Sequence, residues 1–214
     1  MRTRLPAAIV AILLALAGCS VVNGSGHVKT ESRQVSGFTK IDLAGSGEVT
    51  IDQGPAESLT IEADDNVLPA LTSDVSDSTL RLGTKSRTTV RTRNPIRYRV
   101  TVKDLTGVSL SGSGSVTAKG LQLRAFRADI SGSGTVNISG SADTQNIQLS
   151  GSGRYEAGEL TSQEVTAEIS GSGEVVVSVS RALKVGISGS GRVTYSGDPT
   201  VEQDISGSGK LIKK

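Results

Sequence analysis

The sequence predicts an all-β protein, a parallel β-helix with coils of about 18–20 residues that follows a less regular β region. A Leu/Ile-Ser-Gly-Ser-Gly motif recurs six times at intervals of 18 to 20 residues, a period typical of solenoids. Apolar and polar residues alternate on both sides of each motif, as half-buried strands require. Aromatic residues make up 2% of the chain, and small apolar side chains suit closely spaced backbone layers. The copies begin at Leu110, Ile130, Leu149, Ile169, Ile187 and Ile205, with an earlier copy at Leu43.

Residues 1–18 predict a lipoprotein signal peptide. Two arginines near the start precede an apolar stretch that is too short to span a bilayer. The Leu-Ala-Gly-Cys sequence that ends at Cys19 resembles the lipobox of bacterial lipoproteins, so cleavage is expected between Gly18 and Cys19. Cys19 is the only cysteine, and its thiol would carry the acyl chains that anchor the protein. The alternative is an ordinary secretory signal that contains a cysteine.

Residues 19–36 predict the acylated cysteine and a flexible tether, because the segment is polar and rich in small residues. His27 is expected to be a linker residue. Ser20, rather than Asp, follows the cysteine, and by resemblance to the sorting rule of enteric bacteria this favours the outer membrane. The expected location is the bacterial cell envelope, facing either the periplasm or the cell surface.

Residues 37–214 predict a single β-helix domain in two parts. Residues 106–214 hold the six regular coils, in which glycine permits a tight corner between two strands. Residues 37–105 form the less regular β region, which is expected to cover the first coil. An open last coil would invite edge-to-edge association, and three lysines near the C-terminus are expected to protect it: Lys210, Lys213 and Lys214.

The order of these segments resembles the bacterial family described as putative auto-transporter adhesin, head GIN domain. The resemblance lies in residues 38–54, in residues 59–66 and in the Gly-Ser-Gly array that follows them. It implies a right-handed β-helix in a secreted or lipid-anchored envelope protein. It supplies no catalytic or binding residue.

Composition excludes several classes of function. Without the two arginines of the signal peptide, basic and acidic residues are equal in number, so nucleic acid is not an expected partner. One histidine and one cysteine leave no zinc cluster, disulfide framework or Cys-His nucleophile. No cofactor is expected.

The most uneven distribution of charge lies in residues 85–103. Arg97 and Arg99 alternate with apolar residues, which places their side chains on one face of a predicted strand. This face is a candidate contact for anionic lipid, lipopolysaccharide or an acidic glycan. The alternative is a solvated strand whose charges guard an edge. The candidate contacts are Arg91, Arg93, Arg97, Arg99 and Lys103.

Two further patterns are weaker. Glu62, Asp64, Asp65 and Asn66 supply oxygen atoms of the kind that calcium prefers. They lack the spacing of known calcium loops, and a turn with local hydrogen bonds is the alternative. The stacked corner serines would form a hydroxyl ladder that fits a repetitive partner. Serine is also simply the smallest polar residue that tolerates a tight turn.

Three functions remain open. The first is a lipid-anchored, non-enzymatic binding protein of the envelope, anchored through Cys19, with a glycan, a host surface or another envelope protein as its partner. The second is a periplasm-facing scaffold or stress-related lipoprotein. The third is a polysaccharide-degrading enzyme. It is disfavoured because such enzymes stack sugars on aromatic side chains, and the chain has only five aromatic residues. We also expect no clustered carboxylates that line up between coils, although such enzymes work with carboxylate pairs.

Overall fold

The computed structural model describes residues 20–214. The expected signal cleavage and acylation at Gly18 and Cys19 lie outside these residues. The described chain contains 17 β-strands and one 3₁₀ turn at Leu68–Ala70. Within it, no helix has the length and apolar character needed to cross a bilayer.

Seven strands follow the Gly-Ser-Gly corner at residues 112–114, and ten precede it. The earlier strands are β1 (Ser20–Asn23), β2 (Val28–Arg33), β3 (Lys40–Gly45), β4 (Gly47–Gln53), β5 (Ser58–Asp64), β6 (Leu71–Ser76), β7 (Thr79–Thr84), β8 (Thr88–Arg91), β9 (Ile96–Val102) and β10 (Gly107–Gly112). The later strands are β11 (Ser115–Gly132), β12 (Thr135–Gly151), β13 (Arg154–Gly171), β14 (Glu174–Gly189), β15 (Arg192–Ser196), β16 (Thr200–Gly207) and β17 (Lys210–Lys213).

The coils stack in parallel with their glycine corners in register. Strands β11 to β14 each cover most of one coil, and each pairs in parallel with the next. The first glycine of every corner therefore lies beside the first glycine of the next corner: Gly112, Gly132, Gly151, Gly171, Gly189 and Gly207. The predicted parallel β-helix and its period of 18–20 residues are confirmed.

Glycine is required at these corners by both conformation and space. Gly132 has a φ of +116°, a region that side-chain-bearing residues rarely adopt. A Cβ atom at this position would lie 2.5 Å from the carbonyl oxygen of Gly112 in the neighbouring coil. The coils can follow one another at the strand spacing of about 4.8 Å only because this side chain is absent.

The stack begins earlier in the sequence than residue 106. Strand β3 pairs in parallel with β10, which places Gly45 beside Gly112, and β4 pairs in parallel with β11. The copy of the motif at residues 43–49 is therefore the corner of the first coil. Below this coil, β7 pairs in parallel with β3, and β9 pairs in parallel with β4. Three antiparallel pairings extend this layer: β6 with β7, β5 with β9 and β2 with β5.

The prediction of a flexible tether at residues 19–36 is wrong for Ser20–Asn23 and Val28–Arg33, which form strands. Strand β1 pairs in parallel with β8, beginning with Ser20 beside Thr88. Strand β2 pairs in antiparallel fashion with β5 along its whole length. These polar segments are ordered because distant strands satisfy their backbone groups, which local composition does not reveal.

The interior is one continuous apolar cluster from Phe38 to Val193. Alternate residues of each strand point into it, so the core consists mainly of stacked Val, Ile, Leu and Ala. One polar group of side chains is buried among them. Tyr155 donates to Gln145 Oε1 at 2.7 Å, and Gln145 Nε2 donates to Ser162 Oγ at 2.6 Å. Burial raises the pKa of the Tyr155 phenol far above its usual range.

Candidate functional site

A groove of about 530 Å³ runs along the outer face of the coils. Its floor is the backbone of the buried Leu/Ile residues that precede each corner. One side is formed by the first serine of each Ser-Gly-Ser-Gly motif. These serines are all exposed and follow one another at one per coil, about 4.8 Å apart. They are Ser111, Ser131, Ser150, Ser170, Ser188 and Ser206.

The hydroxyl ladder expected from the sequence belongs to the corner serines, which stand between the two glycines. These serines lie outside the groove, where their backbone N–H groups join consecutive coils. Ser133 N–H, for example, donates to the carbonyl oxygen of Gly112 at 2.9 Å. The backbone of the corner serines therefore has an architectural role, and the serines that line the groove lie two positions earlier.

The other side of the groove is a column of mixed polar residues. Its members in register are Ser109, Asp129, Gln148, Glu168, Gly186 and Asp204, and Asp42 continues the column beyond the groove. A carboxylate occupies this column in every second coil. Adjacent carboxylates are consequently about 10 Å apart, at twice the strand spacing.

Two of these side chains are held in place by one charged neighbour, Arg127. Arg127 donates to both carboxylate oxygens of Asp129 at 2.7 and 2.8 Å, and to Gln148 Oε1 at 2.8 Å. The groove thus offers hydroxyl groups and fixed acceptors that repeat along one direction. Such a surface can hydrogen-bond a repeating, hydroxyl-bearing polymer.

A second concavity, a cleft of about 1010 Å³, lies beneath the first glycine corner. In the layer below that corner, β7 ends at Thr84 and β9 begins at Ile96. Residues 85–95 leave the stack between these two strands and form β8, so no further corner fills the space. The lining includes residues 23–26, 44–46 and 90–96.

The first corner has an open backbone donor at this cleft. In each of the six later corners, the serine N–H donates to the carbonyl oxygen of the preceding coil at 2.8 to 3.2 Å. Ser46, in the first corner, makes no equivalent bond within residues 20–214. Its N–H is therefore available to an acceptor in the cleft.

Asp64 forms part of the cleft wall and is itself buried. Its carboxylate accepts hydrogen bonds from Asn94 Nδ2 at 2.6 Å and from Thr92 Oγ1 at 2.7 Å. These bonds, the one from Asn94 above all, hold the pKa of Asp64 below its usual range. Through these bonds Asp64 holds in place the loop that carries Arg91 and Arg93.

The structure divides the five predicted basic contacts into two groups. Arg91 and Arg93 are exposed and line the cleft. Arg97 and Arg99 lie on the outer face of β9, and Lys103 is exposed just beyond its end.

The charge of Arg97 is compensated by two neighbouring strands. Its guanidinium lies 3.1 Å from Glu48 on β4 and 2.9 Å from Glu62 on β5. Arg99, by contrast, is flanked in register by Thr50 and Thr60. The charge of Arg99 therefore remains available to solvent, whereas the charge of Arg97 is compensated by glutamates of the neighbouring strands.

The three acidic residues considered as calcium ligands point to different protein donors. Glu62 pairs with Arg97 and Asp64 accepts from the Thr92–Asn94 loop. Asp65 accepts from Ser25 Oγ at 2.5 Å and from the Asn66 N–H at 2.7 Å, and these bonds lower its pKa. Across residues 20–214, no three His, Cys, Asp or Glu side chains form a group that could hold a metal ion.

The column of carboxylates and the cleft were not predicted from the sequence. The column was detectable, because the residue before each motif copy is Asp, Ser, Asp, Gln, Glu, Gly and Asp in succession. The cleft had no such signal, since it depends on where residues 85–95 leave the stack.

Fold and surface together define a β-solenoid that presents one repeating polar groove and an antiparallel cap at its first coil. The chain belongs to the family described as "Putative auto-transporter adhesin, head GIN domain", whose model matches residues 37–199. The resemblance drawn from the sequence is thereby confirmed. No curated protein sequence matches the chain.

Solved structures share this fold. A putative adhesin from Bacteroides fragilis superposes with a TM-score of 0.74 at 25% identity, covering 90% of this chain and 99% of that one. A putative adhesin from Parabacteroides merdae gives a TM-score of 0.54 at 22% identity, covering 91% and 99%. A putative lipid binding protein from Parabacteroides distasonis gives a TM-score of 0.53 at 23% identity, covering 91% and 100%.

Proposed function

We propose that this protein is a lipid-anchored envelope protein whose β-helix acts as a non-enzymatic binding surface. The observation that carries the proposal is the groove, in which one exposed serine per coil repeats along six coils. A rigid, repetitive surface of this kind fits a repetitive partner, and the adhesin description of the family agrees with a role in binding.

The partner class that best matches the groove is a neutral glycan. Its serine hydroxyls can both donate to and accept from sugar hydroxyls, while the carboxylates in every second coil disfavour an anionic polymer. The test is binding to an array of envelope and host glycans. Ser150→Val should lower the affinity, because it removes a hydroxyl from the centre of the groove.

Asn137→Val provides the matched control. Asn137 is an exposed polar residue on the same strand, β12, but it lies outside the groove. Equal affinities for the two variants and the unmodified chain would refute the assignment of the groove.

The lipid anchor rests on the lipobox-like sequence that ends at Cys19. Cys19→Ala should abolish uptake of labelled palmitate and release the protein from membranes, whereas Ser36→Ala, an exposed change downstream, should alter neither. Continued labelling of the Cys19→Ala variant would refute acylation at this residue.

We propose a second contact, with an anionic surface, through Arg91, Arg93, Arg99 and Lys103. Arg97 is the weakest of the five predicted contacts because two glutamates already compensate its charge. Arg91→Gln together with Arg93→Gln should weaken binding to acidic glycans or lipids, and the loss should be smaller at high salt. Arg97→Gln should have little effect on such binding.

The alternative of a periplasm-facing scaffold is distinguished by location. Digestion of the tagged protein by protease on intact cells would support surface display. Protection until the outer membrane is breached would favour the scaffold, and crosslinking would then be used to identify a periplasmic partner.

A further inference from the structure

Strand β1 begins one residue after the proposed acylation site. Ser20 is the first residue of β1, and its N–H donates to the carbonyl oxygen of Arg87 at 2.9 Å. Its hydroxyl also lies 3.1 Å from Thr88 Oγ1. Consecutive Cα atoms are about 3.8 Å apart, so a lipid on Cys19 leaves no flexible segment between the bilayer and the folded domain.

The surface beside Ser20 carries features that suit a bilayer. Val21 is 50% exposed, although it is a large apolar residue. Lys85 and Arg87, in the loop between β7 and β8, are exposed and form no salt bridge within residues 20–214. Neither β1, nor this loop, nor β8 contains an acidic residue. We call Val21, Lys85 and Arg87 the anchor face.

We propose that the anchor face lies directly on the membrane and contacts anionic lipid headgroups. The inference rests on the proposed acylation of Cys19 and extends it, because it assigns an orientation to the domain. Two acyl chains would hold Ser20 at the headgroup level. The adjacent cations would then lie within a Debye length of the negatively charged surface, where attraction is strong.

This orientation also places the other surfaces. The paired strands β1 and β8 belong to the cap end of the solenoid, and the last coil is six strand spacings above the first, about 29 Å away. The C-terminal coil therefore lies far from the membrane, and the groove extends between the two ends. A partner could therefore reach the groove from the flank of the solenoid, without passing between the domain and the bilayer.

The test uses single tryptophans, because the chain contains none of its own. Val21→Trp places a probe on the anchor face. Ile212→Trp is the matched control, since Ile212 is also an exposed apolar residue, at 40%, but belongs to the last coil. Each full-length variant is expressed, processed and purified from membranes, and its acylation is checked by mass spectrometry. It is then reconstituted into vesicles of phosphatidylcholine and phosphatidylglycerol that contain brominated lipid.

Brominated lipid should quench the Val21→Trp fluorescence severalfold more than the Ile212→Trp fluorescence. Equal quenching of the two probes in acylated protein would overturn the anchor face and leave the anchor itself intact. An unmodified Cys19 in the mass spectrum would instead refute the acylation on which the inference depends. The two failures are therefore distinguishable.

The role of charge is tested on the Val21→Trp background. Its quenching should be greater in anionic vesicles than in pure phosphatidylcholine, and Lys85→Gln with Arg87→Gln should abolish that difference. Lys210→Gln with Lys214→Gln removes two exposed lysines at the far end and should preserve it. Arg87→Lys retains the charge and should behave like the unmodified residue. A difference that survives in the Lys85/Arg87 variant would overturn the contact with anionic headgroups.

Discussion

Replacing one corner glycine by alanine should destabilise the solenoid more than almost any other single-methyl change. Gly132 is the most informative position, because it lies at the corner between β11 and β12 with coils on both sides. Its φ is +116°, and an added Cβ atom would lie 2.5 Å from the Gly112 carbonyl oxygen. That oxygen also accepts the N–H of Ser133 at 2.9 Å.

Three costs combine in Gly132→Ala. The positive φ costs an alanine about 1–2 kcal/mol, weakening the bond between coils costs about 1 kcal/mol, and relief of the backbone overlap costs about 1–3 kcal/mol. Together they predict a loss of about 3–6 kcal/mol in the free energy of unfolding. Only the first cost applies to Gly120→Ala, because Gly120 has a φ of +66° and a Cβ atom added there would meet nothing within 4 Å.

Equilibrium unfolding in urea measures these differences. Ser133→Ala changes an exposed side chain at the same corner and should stay within about 0.5 kcal/mol of the unmodified protein. If Gly132→Ala were no more destabilising than Gly120→Ala, the close approach of neighbouring corners would not limit the stability of the solenoid.

Three further predictions concern the core, alkaline pH and the repeat. Tyr155→Phe leaves the buried Gln145 Oε1 without the phenol donor and should cost about 1–3 kcal/mol in urea unfolding; an unchanged midpoint would contradict the buried bond. Burial raises the pKa of Tyr98 to about 12, above its unfolded value of about 10, so the folded state retains this proton longer. The contribution of Tyr98 to the free energy of unfolding should be complete below pH 10 and should fall by about 2–3 kcal/mol as the pH rises to 12. Tyr98→Phe should make the free energy of unfolding less dependent on pH in this range, and an unchanged pH dependence would refute the role of Tyr98. Deleting residues 132–170 removes two coils and joins equivalent positions, so circular dichroism should show a shorter folded β-helix; an unfolded product would show that the coils do not stack independently.

The regular coils were predictable because their information is local and repeated. Each copy of the motif specifies an inward Leu or Ile, two outward serines and a glycine corner, and a period of 18 to 20 residues brings equivalent positions into register. Even the column of carboxylates follows from aligning the residues before each copy, such as Asp129 and Asp204. It was missed because the carboxylates alternate with Ser, Gln and Gly, so that the column is not a run of charge.

The first coil and its cap were less predictable, since their pairings join segments far apart in sequence. Gly45 pairs with Gly112 across more than sixty intervening residues, although its motif signalled a corner. The pairing of Arg97 with glutamates on two different strands gave no signal in the sequence. A basic stretch read alone therefore overstates the charge that reaches the solvent.

The sequence by itself determined the β-helix, its period, its glycine corners and its family, because each coil repeats the same local pattern of burial and backbone freedom. Tertiary structure alone decided that Ser20–Asn23 and Val28–Arg33 form strands, that a cleft lies under the first corner and which arginines remain uncompensated. These features depend on which distant strand supplies the missing hydrogen bonds or charges. A polar segment such as Ser20–Asn23 becomes ordered when β8 lies beside it, and the proposed anchor is thereby joined directly to the fold.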